Sequence, residues 1–252
     1  MSKFPDSTAA MRIAAVIQSI FQLILPAIVT ALIVTRRPAT FLAVDRQINL
    51  PIVLLAFAGL LAATPAMNLI INLNQSLSLP ESLSGLETAL RTMEDNAAKS
   101  ISLLQGSHTV GNLLMNILII GVLAGFGEEL FFRGTFMRLM TTGRINPHVA
   151  IWTVAIVFSA MHLQFFGFVP RTLLGAYFGY LLYCSRSLWI PIIIHAANNI
   201  MYICCQWAYG TTGDETTPVD TIGTDGNWVA VIISIILTTG IIYVIKRRRI
   251  ID

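Results

Sequence analysis

The sequence predicts an all-α, polytopic transmembrane helix bundle of about seven to eight membrane helices plus one amphipathic helix. The chain of 252 residues is 55% hydrophobic and only 12% charged, whereas soluble domains carry roughly 25% charged residues. Apolar segments recur along the whole chain, most of them close to the ~20 residues that span a bilayer. With neither repeats nor a soluble extra domain between them, residues 1–252 are expected to form a single integral membrane domain.

Seven apolar segments can be recognised. They are 11–35, 50–73, 111–130, 148–163, 168–184, 188–206 and 227–245. The fourth and fifth are short for a spanning helix. Gly167 lies between these two segments and Pro170 lies near the start of the fifth, so they predict a break in the helix where the two segments meet.

The segment 75–108 has a different pattern. Leu83, Leu86, Leu90 and Met93 recur at spacings of three or four residues, which is typical of an amphipathic helix. Such a helix ordinarily lies at the membrane interface or packs on the bundle. The functional alternative is a cover over a substrate entrance.

Charges in the connections predict an orientation. Basic residues follow the odd-numbered segments: Arg36, Arg37, Arg46, Arg133, Arg138, Arg144, Arg186, Lys246, Arg247, Arg248 and Arg249. Acidic residues occupy the opposite loops: Glu81, Glu87, Glu94, Asp95, Asp214, Glu215, Asp220 and Asp225. The positive-inside rule then predicts a cytoplasmic C-terminus and an outer N-terminus, in what we expect to be a bacterial plasma membrane. An eighth crossing within 75–108 would reverse the N-terminus.

Composition also limits which binding partners are expected. The net charge is only +3, and no basic groove interleaved with aromatic residues occurs, so nucleic-acid binding is not expected. The lipid bilayer is the expected surrounding. The three cysteines, Cys184, Cys204 and Cys205, lie in or beside apolar segments and are interpreted as packing residues.

Charged residues in the middle of a membrane segment indicate a functional site. Glu128, Glu129 and Arg133 lie inside a long apolar stretch that begins near Leu113, and a charge at the middle of a membrane helix costs at least ~2.5–3.5 kcal/mol. Glu129 and Arg133 are four residues apart and can pair. Glu128 is rotated from Glu129 by about 100°, so it faces elsewhere. Two carboxylates in unlike surroundings are typical of acid–base chemistry.

Two histidines supply partners for these carboxylates. The turn 141–147 predicts a helical hairpin, and Glu128 and His162 are each about 17 residues from its centre, hence at one level. A carboxylate and an imidazole facing each other can activate a water. His195 and Asn199 share one helix face and could donate hydrogen bonds to one oxyanion. Each feature alone has an ordinary structural alternative, an ion pair or an interhelical hydrogen bond.

These residues resemble the CAAX-protease and bacteriocin-processing family, also called the abortive-infection family, which includes the type II prenyl-protein endopeptidase. The family pattern EExxxR, FxxxH and HxxxN reads here as Glu128 to Arg133, Phe158 to His162 and His195 to Asn199. All three motifs occur in order in successive apolar segments. The resemblance covers about residues 113–205.

The resemblance implies an intramembrane endopeptidase and assigns roles to its residues. Glu128 and His162 would activate the hydrolytic water, and His195 and Asn199 would stabilise the oxyanion. Glu129 and Arg133 would orient Glu128. We expect no cofactor. If the enzyme used a metal, zinc held by Glu128, His162 and His195 is the alternative, because His₂Glu sets occur in catalytic zinc sites.

Three function classes follow from these observations. Peptide-bond hydrolysis is the leading hypothesis, with a protein or peptide substrate that can itself be anchored to the membrane. Nothing in the sequence indicates recognition of a prenyl group. The alternatives are a non-catalytic immunity or scaffold protein of the same fold and a proton-coupled transporter. The transporter is disfavoured because the sequence has no internal repeat.

Overall fold

The computed structural model describes residues 7–213, 215–224 and 226–248; Asp214, Asp225 and Arg249 of the charge pattern lie outside them. Every regular element in these ranges is helical, which confirms the predicted all-α bundle. In chain order the helices are α1 Thr8–Val34, α2 Pro38–Phe41, α3 Leu50–Gln75, α4 Ser84–Gln105, α5 Val110–Thr142, α6 Pro147–Ala160, α7 Phe168–Ser185, α8 Trp189–Tyr209 and α9 Trp228–Arg248.

The seven apolar segments correspond to seven of these helices. α1, α3, α5, α9 and the stretch that contains α7 are long and apolar enough to cross a membrane. α6 is apolar but has only 14 residues, and α8 has 21 residues interrupted by polar side chains. α4 is not among the spanning candidates, so the eighth crossing considered for 75–108 has no support in the described part of the chain.

The amphipathic helix α4 is confirmed, and its C-terminal end is fixed to α1. Arg12 of α1 donates to the backbone oxygens of Leu104 and Gln105 at 3.1 and 3.0 Å. These contacts satisfy carbonyls that a helix C-terminus leaves without an intrahelical donor. In the N-terminal half of α4, Leu86 and Met93 keep exposed apolar surface, as expected of a helix at the edge of the bundle.

Loop contacts agree with an alternation of the helices across the membrane. Leu188, before α8, donates its backbone N–H to Ala43 in the connection after α1, at 3.0 Å. At the opposite end of α3, the amide of Asn74 donates to Phe165 O and accepts from Val169 N. The cytoplasmic location of the C-terminus stays a prediction.

Glycines of α5 allow α8 to approach closely. A Cβ on Gly125 would lie 3.2 Å from the backbone nitrogen of Ala196, and a Cβ on Gly121 would lie 2.7 Å from Cγ1 of Ile200. Small residues four apart permit such contact between membrane helices. Side chains on the next turn of α5 therefore reach α8 directly.

π-helical runs interrupt α5 on both sides of its glutamate pair. They span Ile117–Ala124 and Leu130–Met137, and a further run in α1 spans Ser19–Ile24. π-helical geometry is rare and recurs at functional sites. Apolar periodicity alone did not reveal these runs, because the whole third segment is apolar.

Candidate active site

Glu129 and Arg133 form an ion pair inside the bundle, as their spacing predicted. Arg133 Nη1 donates to Glu129 Oε1 at 2.8 Å, and the two side chains are 1% and 0% exposed. Arg133 Nη2 donates to the backbone oxygen of Gly175 in α7 at 2.8 Å. A Cβ on Gly175 would lie 3.2 Å from that nitrogen. These partners offset part of the desolvation cost of a buried charge.

His195 extends this ion pair toward Glu128. Its Nδ1 donates to Glu129 Oε1 at 2.7 Å, and its ring stacks on Phe178 with 4.6 Å between centroids. Because a carboxylate accepts, this bond places a proton on Nδ1 and directs Nε2 elsewhere. Nε2 lies 3.5 Å from Glu128 Oε2. His195 therefore contacts both glutamates. That Glu129 and Arg133 orient Glu128 stays a prediction.

Glu128 is the more accessible of the two carboxylates. Its side chain is 20% exposed, whereas that of Glu129 is fully buried. Glu128 lines a cavity of about 190 Å³ whose other walls come from α1, α4 and α5, among them Leu104 and Ile120. The helix geometry predicted this difference between a paired and a less compensated carboxylate.

His162 lies in a turn beyond α6, and the sequence interpretation that placed it within a helix was wrong. α6 ends at Ala160, and Leu163 closes the turn with a positive φ of 54°. His162 Nδ1 donates to the Phe158 carbonyl at 2.8 Å. A carbonyl only accepts, so Nε2 is left as an acceptor. The ring is within electrostatic range of Glu128.

Asn199 lies one turn after His195 on α8, and both side chains contact α5. The Asn199 amide donates to the Ile120 backbone oxygen at 3.2 Å. Its Oδ1 accepts from Asn198 at 3.4 Å. The predicted common face of α8 is therefore present, with His195 buried and Asn199 half-buried.

Arg171 of α7 lies near the site but was not selected from the sequence. Its Nη2 donates to Gln164 Oε1 at 2.7 Å, and Nη1 is buried without a hydrogen-bond partner among the described residues. The guanidinium is within electrostatic range of Glu94 and Glu128. A single arginine inside an apolar segment was the signal that could have found it.

The alternative zinc set is not assembled in this arrangement. Among the residues that the structure describes, no three His, Cys, Asp or Glu side chains are placed to hold a metal ion. Of the three candidates, His195 directs Nδ1 to Glu129 and Nε2 toward Glu128. The absence of a cofactor remains a prediction.

Comparisons with known proteins agree with the class of site described here. Residues 110–201 match a family model described as type II CAAX prenyl endopeptidase Rce1-like. This range contains all three sequence motifs and nearly coincides with the expected core of 113–205. The resemblance is thereby confirmed for residues 110–201, which are similar to this family.

The similarity to one curated protein extends over about as many residues as the match to the family model. The uncharacterized protein YpbD of Bacillus subtilis (strain 168) is 23% identical over 93 residues, which are 35% of this chain and 44% of the relative. The chain thus matches less than half of the length of that relative. No solved structure matches this chain.

Proposed function

We propose that the protein is an intramembrane endopeptidase in which Glu128 and His162 activate the hydrolytic water. The observation that carries this proposal is the position of Glu128. It is a partly accessible carboxylate facing His195, which continues the buried ion pair of Glu129 and Arg133. Glu129 Oε1 has Arg133 and His195 as partners, and Glu128 has access to a cavity.

Glu128 and His162 each offer an atom that can accept a hydrogen bond or a proton from the hydrolytic water. An ionised Glu128 accepts a proton from water, and His162 offers the lone pair of Nε2 because its Nδ1 is committed to Phe158. General-base catalysis of this kind contributes about 10²–10⁴-fold. We propose Glu128 as the group that takes the proton and His162 as the group that orients the water.

We propose that two side chains of α8 stabilise the tetrahedral intermediate. Nε2 of His195, when protonated, donates to the oxygen that gains charge, and the amide of Asn199 is the second donor one turn away. A donor held by neighbouring contacts stabilises charge without reorganising first. Nδ1 of His195 is held by Glu129 at 2.7 Å, so its ring is positioned before substrate binds.

The reaction balances without another reactant. The water oxygen bonds to the peptide carbonyl carbon while its proton passes to Glu128. The carbon–nitrogen bond then breaks, and Glu128 returns the proton to the leaving nitrogen. The products are a carboxylic acid and an amine, and the carboxylate of Glu128 is regenerated.

The substrate is proposed to be a protein or peptide that enters from the lipid phase or is anchored there. The cavity at Glu128 is walled mainly by apolar residues of three helices, and such walls favour an apolar chain over a hydrated one. The amphipathic helix α4 forms part of these walls, so its second proposed role is that of a cover.

The test is cleavage of a quenched fluorescent peptide library by purified protein in detergent, with and without a strong chelator. Glu128→Gln and His162→Ala should each abolish cleavage while the protein elutes as wild type does. Glu81→Gln, which changes an exposed glutamate, is the matched control and should retain full activity. Cleavage by wild type that persists in chelator supports the metal-free mechanism.

Other results would favour the alternative functions. Wild-type turnover by Glu128→Gln would remove the assignment of the activated water. A wild type that cleaves nothing, together with a Glu128→Gln variant that still protects cells against a bacteriocin, would favour the immunity or scaffold protein. Proton-coupled solute uptake that depends on Glu128 would favour the transporter.

A further inference from the structure

Arg171 is a charged group beside the site that the proposed hydrolysis leaves unused. We infer that Arg171 binds a carboxylate group of the substrate and so determines which peptides are cleaved. The inference rests on the proposed function for its consequence in catalysis, but the binding itself can be measured without turnover.

The fold directs Arg171 toward the site. Arg171 and Gly175 are one turn apart on α7, hence on one face, and the Gly175 oxygen accepts from Arg133. At its other side, the guanidinium lies against the turn that follows His162, where a Cβ on Gly167 would come within 3.1 Å of Nη2. Arg171 thus lies between the buried ion pair and the loop of His162.

The two arginines of this face differ in their partners. Arg133 has a carboxylate and a carbonyl as acceptors, both at 2.8 Å. Arg171 donates to the neutral amide of Gln164, and its nearby carboxylates, Glu94 and Glu128, are within electrostatic range only. Each arginine also has one buried nitrogen without an acceptor in the described residues, Nε of Arg133 and Nη1 of Arg171. An unsatisfied buried donor is costly, and more so when it is charged. A ligand that supplies the missing acceptor removes this cost.

A carboxylate is the acceptor that fits best. A guanidinium presents parallel N–H groups whose spacing matches the two oxygens of a carboxylate. Glu94 and Glu128 are both within electrostatic range of Arg171, and these carboxylates would repel an acidic peptide unless a cation lay nearby. Two sources have the required chemistry, the free C-terminus of a peptide and an aspartate or glutamate side chain.

The experiment measures binding in the inactive Glu128→Gln protein, with and without Arg171→Gln. The probes are N-acetylated apolar hexapeptide libraries that carry a fluorophore, in free-acid and C-terminally amidated forms. A second amidated pair carries either one aspartate or one asparagine. The free acid or the aspartate form should bind at least about tenfold more tightly than its neutral match, as expected for a charge-assisted hydrogen bond. Arg171→Gln should reduce that preference to less than about twofold.

Two further variants keep the result independent of folding. Arg171→Lys retains the positive charge but lacks the parallel N–H groups of the guanidinium, so it should retain part of the preference for acidic peptides. Arg138→Gln makes the same change at an exposed arginine of α5 and should leave the preference intact. The pair of peptides that shows the preference identifies the C-terminus or the side chain as the source.

Three results overturn the inference: equal binding of acidic and neutral peptides by the Glu128→Gln protein, the same preference after Arg171→Gln, or no binding of either library. A failure of the proposed hydrolysis is separate from these, since it would appear as inactivity of the wild type while the Arg171-dependent preference persisted in binding.

Discussion

Two Glu–Arg pairs of this protein have the same sequence spacing and opposite surroundings. Glu87 and Arg91 on α4 are four residues apart, as are Glu129 and Arg133 on α5, and each pair joins guanidinium to Oε1 at 2.8 Å. On α4 the side chains of the arginine and the glutamate are 47% and 19% exposed. On α5 they are 1% and 0% exposed. The spacing therefore determines that the contact forms, and the fold determines how much the contact contributes to stability.

The difference lies in what surrounds each pair. Water screens the α4 pair, and exposed ion pairs contribute little to stability. The α5 pair is deprived of water, so each charge depends on its partner. Glu129 also holds His195 at 2.7 Å, whereas Glu87 accepts the backbone N–H of Leu79. The buried pair thus orients a side chain of the candidate site, and the exposed pair closes a loop.

The largest effect is expected from breaking the buried pair. Arg133→Met leaves the Glu129 charge uncompensated inside the bundle, which should cost about 3–5 kcal/mol of stability. Activity should fall as well, because Glu129 positions His195. Unfolding of the purified protein by denaturant in detergent measures the first effect, with Arg91→Met on the exposed pair as control. An equal loss in the two variants would show that burial does not distinguish the pairs.

Removing both charges separates stability from positioning. Glu129→Leu combined with Arg133→Met leaves no unpaired charge, so the double variant should regain most of the stability lost by Arg133→Met. Its activity should remain lost, because Nδ1 of His195 no longer has its carboxylate acceptor. A double variant with wild-type turnover would mean that Glu129 serves stability alone.

The oxyanion donors proposed for α8 should give the next effect. His195→Ala should lower kcat by about 10²–10³-fold, as removal of one such donor does, and Asn199→Ala should lower it severely as well. KM should change less than kcat if these groups act on the charged intermediate. Cys204→Ala, at an exposed position of the same helix, is the control. A change confined to KM would indicate substrate binding instead.

Residue spacing predicted the parts of this site that lie within single helices. The Glu129–Arg133 contact and the common face of His195 and Asn199 follow from the rise and turn of one helix. The seven apolar segments followed from hydropathy. These features depend on local geometry, which the sequence specifies directly.

Contacts between helices could not be predicted from the sequence. The hydrogen bond of His195 to Glu129 depends on the close approach at Gly125, which packing decides. The turn that carries His162 departs from the helix at Ala160 although the apolar pattern continues to residue 163. Arg171 joins the site only because α7 packs against α6 and α5, so no local spacing connects it with Glu128.

The smallest effect should come from titrating the exposed pair. The backbone N–H of Leu79 and then Arg91 lower the pKa of Glu87 below its usual value. A carboxylate whose pKa is lowered by folding stabilises the folded state above its unfolded pKa, about 4.3 for glutamate, and loses that contribution as the pH falls through the folded value. The start of α4 should therefore loosen in acid before the bundle does. Hydrogen exchange of α4 between pH 5.5 and 3, corrected for intrinsic rates, should show protection decreasing in wild type. Glu87→Gln cannot titrate, so its protection should already be low at the upper pH and change less; an identical pH profile in both proteins would mean that this pair does not hold the loop.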